Sequence, residues 1–175
     1  MSDGERQSPA HGRGELVCLL DYDGVLHPED VRSRLKTGPY VASPPGHQLF
    51  EHASLLEELL APYPEIKIVL STSWVRVYGF SRATKRLPPG LRSRVIGATF
   101  HRHMEKEAFL NMSRGAQVWA DVVRRKPRDW LALDDTYDGW PEHCIDNFIA
   151  TDEVYGISEP KVRERIVQKL AALGK

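Results

Sequence analysis

Five short apolar segments recur along this chain, separated from one another by polar or amphipathic stretches. They cover residues 15–20, 66–70, 94–96, 130–133 and 145–150. Strands that are buried on both faces of a parallel sheet read as such continuous apolar runs, because neither face meets water. The pattern therefore predicts five strands of a buried, mainly parallel sheet.

Several of the stretches between these strands carry apolar residues at helical spacing. Residues 49–60, 74–86 and 113–125 are predicted helices, and Ser113 can cap the third of them. A last helix is predicted to open at Ser158. Strands that alternate with helices indicate an α/β, three-layer Rossmann-like fold, in which the central sheet lies between two helix layers.

Two parts of the chain lack this regular pattern. Residues 25–46 contain the breakers Gly38-Pro39 and Pro44-Pro45-Gly46, so we expect a functional loop or a small hairpin there, acting as a minimal cap over the site. Residues 1–14 are polar and glycine-rich and are predicted to be a disordered tail. Residues 15–175 then form a single domain.

Composition narrows the range of partners. The chain has 24 basic and 24 acidic residues, so it has no net charge to attract nucleic acid or an anionic membrane. A basic stretch over residues 76–86 keeps nucleic acid possible, although a solvated helix face is the favoured interpretation. No apolar run is long enough to span a membrane and no signal-peptide core is present, so we expect a cytoplasmic protein. Cys18 and Cys144 lie in apolar segments and are predicted to be core residues.

Polar residues follow three of the predicted strands at the point where each strand ends. Asp21 and Asp23 follow the first strand, the hydroxyl residues 71–73 follow the second, and Asp134 and Asp135 end the fourth. The carboxyl ends of parallel strands share one edge, which is where α/β sheets bind ligands. Clustered carboxylates repel each other unless a cation or proton lies between them, and Mg²⁺ prefers carboxylates together with phosphate oxygens. A carboxylate that the metal does not need can attack phosphorus.

Three motifs in this order resemble the haloacid dehalogenase-like (HAD) hydrolase superfamily. They are Leu20-Asp21-Tyr22-Asp23-Gly24-Val25-Leu26, Leu70-Ser71-Thr72-Ser73-Trp74 and Leu133-Asp134-Asp135. The resemblance covers about residues 16–170. It is greatest to the small-cap members related to the domain found in bacterial RNA-repair proteins, which also resemble residues 150–152 and 155–158 of this chain.

The resemblance implies roles for the acidic residues. Asp21 is the expected nucleophile, which forms a phospho-aspartyl intermediate, and Asp23 is the expected general acid and base. Mg²⁺ would be held by Asp21, by the backbone carbonyl of Asp23 and by Asp134. Asp135 is either a further ligand or lies just outside the ligand set, because the double-Asp form departs from the commoner Gly-Asp motif.

The resemblance also implies groups that bind the phosphoryl oxygens. Thr72 is the first choice, and Ser71 is the alternative because the end of the strand is not fixed by the sequence. Ser73 is a further substrate-binding candidate. The family uses a basic residue to offset the charge of the nucleophile and the phosphate; Arg114 is the choice here and Lys106 the alternative.

Three further residues are substrate-binding candidates. Gly24 permits a sharp turn after the first strand. His27 lies four residues beyond Asp23, and a substrate contact and a surface role are equally open for it. Trp140 lies just past the Asp134-Asp135 motif, where an aromatic ring can contact a substrate.

The resemblance implies a Mg²⁺-dependent phosphatase that acts on a phosphate monoester. Two alternatives stay open: a nucleic-acid-end or nucleotide phosphatase in a repair pathway, and a non-catalytic phosphate-binding or regulatory module. A small cap in this superfamily often accompanies a large substrate or closure by a partner subunit. The expected partner is therefore a phosphorylated small molecule or macromolecule end, with a homodimer as a further option.

Overall fold

The computed structural model describes residues 10–175, and residues 1–9 of the predicted tail lie outside this range. Five strands form one parallel sheet in the order β5-β4-β1-β6-β7, and β2 and β3 form a separate antiparallel hairpin. The strands are β1 (Leu16–Leu20), β2 (Asp30–Arg34), β3 (Gly38–Ser43), β4 (Lys67–Leu70), β5 (Val95–Ala98), β6 (Asp129–Asp134) and β7 (Phe148–Ala150). The predicted parallel sheet is confirmed.

Helices connect the strands on both faces of the sheet. They are α1 (Ala53–Leu60), α2 (Ser73–Tyr78), α3 (Phe80–Lys85), α4 (Pro89–Arg92), α5 (Lys106–Leu110), α6 (Arg114–Arg125) and α7 (Pro160–Ala172), with a 3₁₀ helix at Glu142–Asn147. Among residues 10–175, none of the helices combines the length and hydrophobicity needed to cross a bilayer.

The central strand β1 is buried along its whole length and divides the core in two. Leu16, Cys18 and Leu20 belong to the cluster that also contains the apolar residues of α1 and α7. Val17 and Leu19 point the other way, into a smaller cluster formed with α6. This alternation follows from the two-residue period of a strand, and it gives the three-layer α/β fold that the sequence predicts.

The segment predicted as a loop or small hairpin is the β2-β3 hairpin. Its strands pair from Asp30 opposite Ser43 to Arg34 opposite Gly38. The chain that leads into it is anchored to the body of the protein, because the Glu29 N–H donates to the carbonyl of Glu153 at 2.9 Å. The hairpin is the only small element inserted between β1 and α1 in the described part of the chain.

Several predicted boundaries differ from the structure for local reasons. The predicted helix over residues 74–86 is divided into α2 and α3, because Gly79 adopts a φ of 89° and ends the first helix. The predicted strand over residues 145–150 is a 3₁₀ helix that leads into the shorter β7. The N-cap of the last helix lies one residue later than predicted. The side chain of Glu159, and not that of Ser158, accepts the N–H of Val162.

Other local features match or extend the sequence-based interpretation. Ser113 caps α6 by accepting the N–H of Ala116 at 3.3 Å, as predicted. Both cysteines are free and buried, which confirms their interpretation as core residues. The predicted tail extended to Gly14, whereas the carbonyl of His11 accepts a hydrogen bond from Arg125 and the Gly14 N–H donates to Lys126.

The first turn of α6 lies directly against the chain that follows β6. A Cβ at Gly115 would collide with backbone atoms of Gly139 and Trp140, which cannot move as a flexible side chain can. We expect Gly115→Ala to lower the free energy of unfolding by about 1–3 kcal/mol, as overpacking of a close contact does. Urea denaturation followed by circular dichroism measures this change.

A second helical glycine provides the control. The three atoms nearest to a Cβ at Gly90, in α4, would all belong to the side chain of Glu57, which is flexible. Gly90→Ala should change the free energy of unfolding by less than about 1 kcal/mol, the size of the difference in helix propensity. Equal losses in the two variants would contradict a specific contact at Gly115.

Candidate active site

The candidate site lies at the carboxyl edge of the sheet, where β4, β1 and β6 end side by side. Leu20 is in register with Leu70 on one side and with Leu133 on the other. The Asp21 N–H donates to the carbonyl of Leu133 at 3.1 Å, and the Ser71 N–H donates to the carbonyl of Leu20 at 2.8 Å. The hydrogen bonding of the sheet itself therefore brings the residues after these strands together.

Three carboxylates converge at this edge. One oxygen atom from each of Asp21, Asp134 and Asp135 lies within 4.8 Å of the others. Asp21 is 3% exposed and Asp134 is 1% exposed, so neither carboxylate is solvated by bulk water. Ionised acids in such a setting need a compensating positive charge.

Burial changes the acidity of all three groups. It raises the pKa of Asp21 well above its ordinary value, and the carboxylates of Asp134 and Asp23 raise it further, while the charge of Arg114 acts in the opposite direction. Burial likewise raises the pKa of Asp134 to about 6, although Arg114 and the Thr136 N–H favour the ionised form. Burial also raises the pKa of Asp135. One arginine therefore does not fully compensate the cluster.

Arg114, the first residue of α6, is the cation that joins these strand ends. Its Nη2 donates to Asp21 Oδ2 at 3.2 Å and its Nη1 donates to the carbonyl of Ser71 at 2.8 Å. Its Nε lies 3.1 Å from Asp134 Oδ2. Lys106, the alternative from the sequence, is exposed on α5 and forms no ion pair within the described range. The structure thus brings Arg114, and not Lys106, to the carboxylates.

One oxygen of Asp134 lacks a hydrogen bond. Asp134 Oδ2 is buried and has no hydrogen-bond partner in the described residues, because the nearby Arg114 Nε–H is not directed at it. The other oxygen, Oδ1, accepts the Thr136 N–H at 3.0 Å. A buried carboxylate oxygen without a donor, next to two more carboxylates, fits a hard divalent cation such as Mg²⁺.

Asp23 is held apart from this carboxylate cluster. Its Oδ1 accepts the indole N–H of Trp74 at 2.8 Å and lies 2.9 Å from His27 Nε2. Its side chain is 28% exposed, so part of the carboxylate still faces the open side. The sequence assigned Asp23 to the metal through its backbone carbonyl, and the carboxylate group itself points elsewhere.

His27 lies in the interior beside Asp23. The sequence left substrate contact and a surface role open, but the side chain is fully buried and contacts Asp23 instead. Full burial excludes the surface role, and a contact between His27 and a substrate stays a prediction. The spacing of four residues from Asp23 to His27 was the one signal of this contact, and the spacing alone did not show which way the ring turns.

The hydroxyl residues after β4 have different local roles. Thr72 caps α2, and its Oγ1 accepts the Trp74 N–H at 3.4 Å. Ser71 Oγ is buried and has no hydrogen-bond partner in the described part of the chain. Ser73 is the first residue of α2 and is half-buried. Arg114 binds the backbone carbonyl of Ser71, which is part of the peptide bond between Ser71 and Thr72. This contact favours neither hydroxyl, so the choice of Thr72 or Ser71 as the group that binds a phosphoryl oxygen stays a prediction.

The turn after Asp23 is fixed by the loop that follows β7. Thr151 Oγ1 donates to the carbonyl of Gly24 at 2.6 Å, and Gly156 packs so closely on the carbonyl of Val25 that a Cβ would clash. Gly24 itself is buried at a φ of 69°, and a Cβ there would collide with the carboxylate of Asp135. Gly24 therefore has a packing role in this structure, and its predicted contact with a substrate stays a prediction.

Trp140 packs against Phe148 beside the loop that follows Asp135. Its indole N–H donates to the carbonyl of Thr136 at 2.7 Å, and its ring stacks on Phe148 with the ring centres 4.1 Å apart. These contacts fix the loop that carries Asp135 and Thr136. Trp140 is half-buried, so its predicted contact with a substrate stays a prediction.

Comparison with known proteins identifies the family. A sequence profile described as the HAD domain in Swiss Army Knife RNA repair proteins matches residues 17–162. No curated protein and no solved structure matches the chain. The match covers most of the chain, so the chain belongs to this family of HAD domains, and the resemblance noted in the sequence is confirmed.

The raised pKa of Asp134 predicts how pH affects stability without metal. Between about pH 4 and pH 6 the folded protein keeps a proton on Asp134 that the unfolded chain releases. The contribution of Asp134 to the free energy of unfolding should therefore decrease as the pH rises through this window, and it stays unfavourable above pH 6. Urea denaturation of the wild type and of Asp134→Asn, in a chelator, at pH 4.5 and 7, measures this contribution.

The variant should gain stability relative to the wild type at the higher pH. The exposed residue Asp138, four positions further along the chain, supplies the matched control. Asp138→Asn should keep the wild-type difference between the two pH values. A wild-type advantage over Asp134→Asn that grows with pH would contradict a raised pKa.

Proposed function

We propose that this HAD-domain protein is a Mg²⁺-dependent phosphatase that hydrolyses a phosphate monoester through a phospho-aspartyl intermediate. The observation that carries the proposal is the arrangement around Asp21. This buried carboxylate lies beside Arg114 and two further carboxylates, while Asp23 is held two residues away by its own hydrogen bonds. A nucleophile, a charge-compensating group and a separate proton donor are the parts that this reaction needs.

The metal would be held by Asp21, Asp134 and Asp135. When bound, Mg²⁺ would supply positive charge that favours the ionised carboxylates and offsets the charge of the phosphoryl oxygens. This compensation is required because burial alone raises the pKa of Asp21, and a protonated carboxyl is a poor nucleophile.

The chain's own residues perform the transfer in two steps. In the first, a carboxylate oxygen of Asp21 forms a bond to phosphorus, the bond to the leaving oxygen breaks, and Asp23 gives that oxygen a proton. In the second, Asp23 takes a proton from water as the water oxygen attacks phosphorus and releases Asp21. Arg114 holds Asp21 Oδ2 by a hydrogen bond and fixes the orientation of the nucleophile throughout.

A nucleic-acid end is a second candidate for the substrate. The family description refers to RNA repair proteins. Arg76 of α2 also supports this candidate. Burial lowers the pKa of Arg76, and the positive charge of Arg114 lowers it further. The two guanidinium groups are therefore close enough to interact electrostatically. A second cation suits the phosphodiester next to a terminal phosphate.

Release of phosphate from p-nitrophenyl phosphate tests the chemistry. We expect the wild type to turn over with Mg²⁺ and to stop in chelator, and Asp21→Asn to lose at least about 1000-fold in rate, because a carboxamide cannot replace the nucleophile. Asp146→Asn removes an exposed carboxylate outside the site and should keep the wild-type rate. Activity that survives in Asp21→Asn would overturn the nucleophile assignment. A wild type without activity on this or any phosphorylated substrate would favour a non-catalytic phosphate-binding module.

Replacement of Arg76 distinguishes a macromolecular substrate from a small one. On an RNA oligonucleotide with a 3′-phosphate, Arg76→Ala should raise KM by about 10-fold or more, because one phosphate contact is lost. On p-nitrophenyl phosphate, which has no second phosphate, the same variant should keep its KM within about 2-fold. Arg163→Ala, which removes an exposed arginine of α7 outside the basic stretch over residues 76–86, is the control and should change neither KM. Equal effects of Arg76→Ala on the two substrates would argue against a nucleic-acid end.

A further inference from the structure

A buried group of residues behind Asp23 has no role in the two-step reaction described above. His27 is fully buried and Trp74 is 2% exposed, and both present a ring N–H to the same oxygen, Asp23 Oδ1. The distances are 2.9 Å from His27 Nε2 and 2.8 Å from Trp74 Nε1. The indole N–H can only donate, so its direction is fixed by chemistry.

The direction of the hydrogen bond between His27 Nε2 and Asp23 is also fixed, by a backbone group that contacts the other ring nitrogen, Nδ1. The Phe50 N–H lies 3.1 Å from His27 Nδ1, and a backbone N–H can only donate. His27 Nδ1 must therefore carry a lone pair, and the ring hydrogen must lie on Nε2. His27 is then neutral and donates to Asp23 Oδ1, so it does not accept from it.

The backbone at Phe50 is unusual in a way that serves this contact. Phe50 has a φ of 59°, a left-handed conformation that a bulky residue rarely adopts. This conformation directs its N–H at the imidazole, while its ring packs edge-on against His27, with the ring centres 4.8 Å apart. Uncommon backbone conformations of this kind persist where the surrounding structure requires them, often near functional sites.

Aromatic packing holds the rest of the group rigid. The ring of Phe50 also contacts Trp74 at 5.3 Å and Tyr22 at 5.0 Å, both edge to face. The hydroxyl of Tyr22 donates to the carbonyl of Ala83 at 3.0 Å, which ties the group to α3. The two N–H donors are therefore presented to Asp23 by side chains that have little freedom to turn.

We propose that His27 is a positioning residue for proton transfer, which together with Trp74 restricts the transferable proton of Asp23 to Oδ2. Two donors occupy Oδ1, and in the described residues Oδ2 has no hydrogen-bond partner. The proton on Oδ2 passes to the leaving oxygen as the bond between phosphorus and that oxygen breaks. Oδ2 regains a proton from the attacking water in the second step. The proposal rests on the proposed phosphatase function, in which Asp23 is the acid.

The tautomer is tested without any activity measurement. Long-range ¹H–¹⁵N NMR spectra of protein labelled at histidine distinguish the two neutral tautomers and the imidazolium, and His27→Gln assigns the signal by its disappearance. We expect His27 to show the neutral pattern with hydrogen on Nε2 at pH 7. A signal with hydrogen on Nδ1, or on both nitrogens, would overturn the assignment of the donor even if the enzyme is inactive.

The role in proton transfer is tested by comparing two leaving groups. An alkyl phosphate needs a proton donor, whereas p-nitrophenolate leaves without one. We expect His27→Phe to lower kcat/KM for the alkyl phosphate about 10-fold or more beyond any loss on p-nitrophenyl phosphate. His27→Gln, which keeps an N–H donor at a similar distance, should recover part of that loss. An equal fall on both substrates would show a merely structural role and overturn the proposal.

A second variant keeps the test informative if His27→Phe does not fold. Trp74→Phe removes the other donor to Asp23 Oδ1 and keeps an aromatic ring in the packed group. It should show the same selective loss on the alkyl phosphate, and an unselective loss would count against the proposal. A wild type that hydrolyses neither these two substrates nor the 3′-phosphorylated RNA would contradict the phosphatase function and with it the role of His27 in proton transfer, while the NMR result would still decide the tautomer.

Discussion

The site depends on one electrostatic constraint: three carboxylates share a sheet edge, and two of them, Asp21 and Asp134, are shielded from bulk water. The parallel hydrogen bonding of β1 with β4 and β6 places Asp21 and Asp134 next to each other, although their burial makes ionisation of both carboxyl groups unfavourable. Arg114 reduces that cost by contacting both acids and the carbonyl of Ser71. One guanidinium cannot balance three ionised carboxylates, so the cluster as a whole fits a divalent cation, and Asp134 Oδ2 has no hydrogen-bond partner among the described residues.

The same constraint explains why Asp23 is kept out of the cluster. A fourth carboxylate beside Asp21 would raise the electrostatic cost further, and it would also have to share the metal. The short turn after β1 instead directs Asp23 to the N–H groups of Trp74 and His27. Two acids that are two residues apart thus acquire different surroundings: Asp21 lies among charged groups, the carboxylates of Asp134 and Asp135 and the guanidinium of Arg114, whereas Asp23 accepts hydrogen bonds from two ring N–H groups. Different surroundings are how neighbouring carboxyl groups take different chemical roles.

Contacts from remote parts of the chain hold this turn in place. Thr151, which follows β7, donates to the carbonyl of Gly24, and Gly156 lies against Val25. Asp135 in turn packs on Gly24, so the acidic motif of β6 and the turn of β1 fix each other. The family profile matches residues 17–162, which span all of these segments.

The sequence by itself determined the parallel sheet, its helix layers and the positions of Asp21, Asp23 and Asp134, because hydrophobic period and strand ends are local properties of a chain. It did not determine the break at Gly79 or the 3₁₀ helix before β7, since short apolar segments fit several conformations. It also could not decide between Arg114 and Lys106, or show that His27 turns inward to Asp23. Those outcomes depend on which residues meet across the folded sheet, so only the tertiary structure, through packing and burial, decided them.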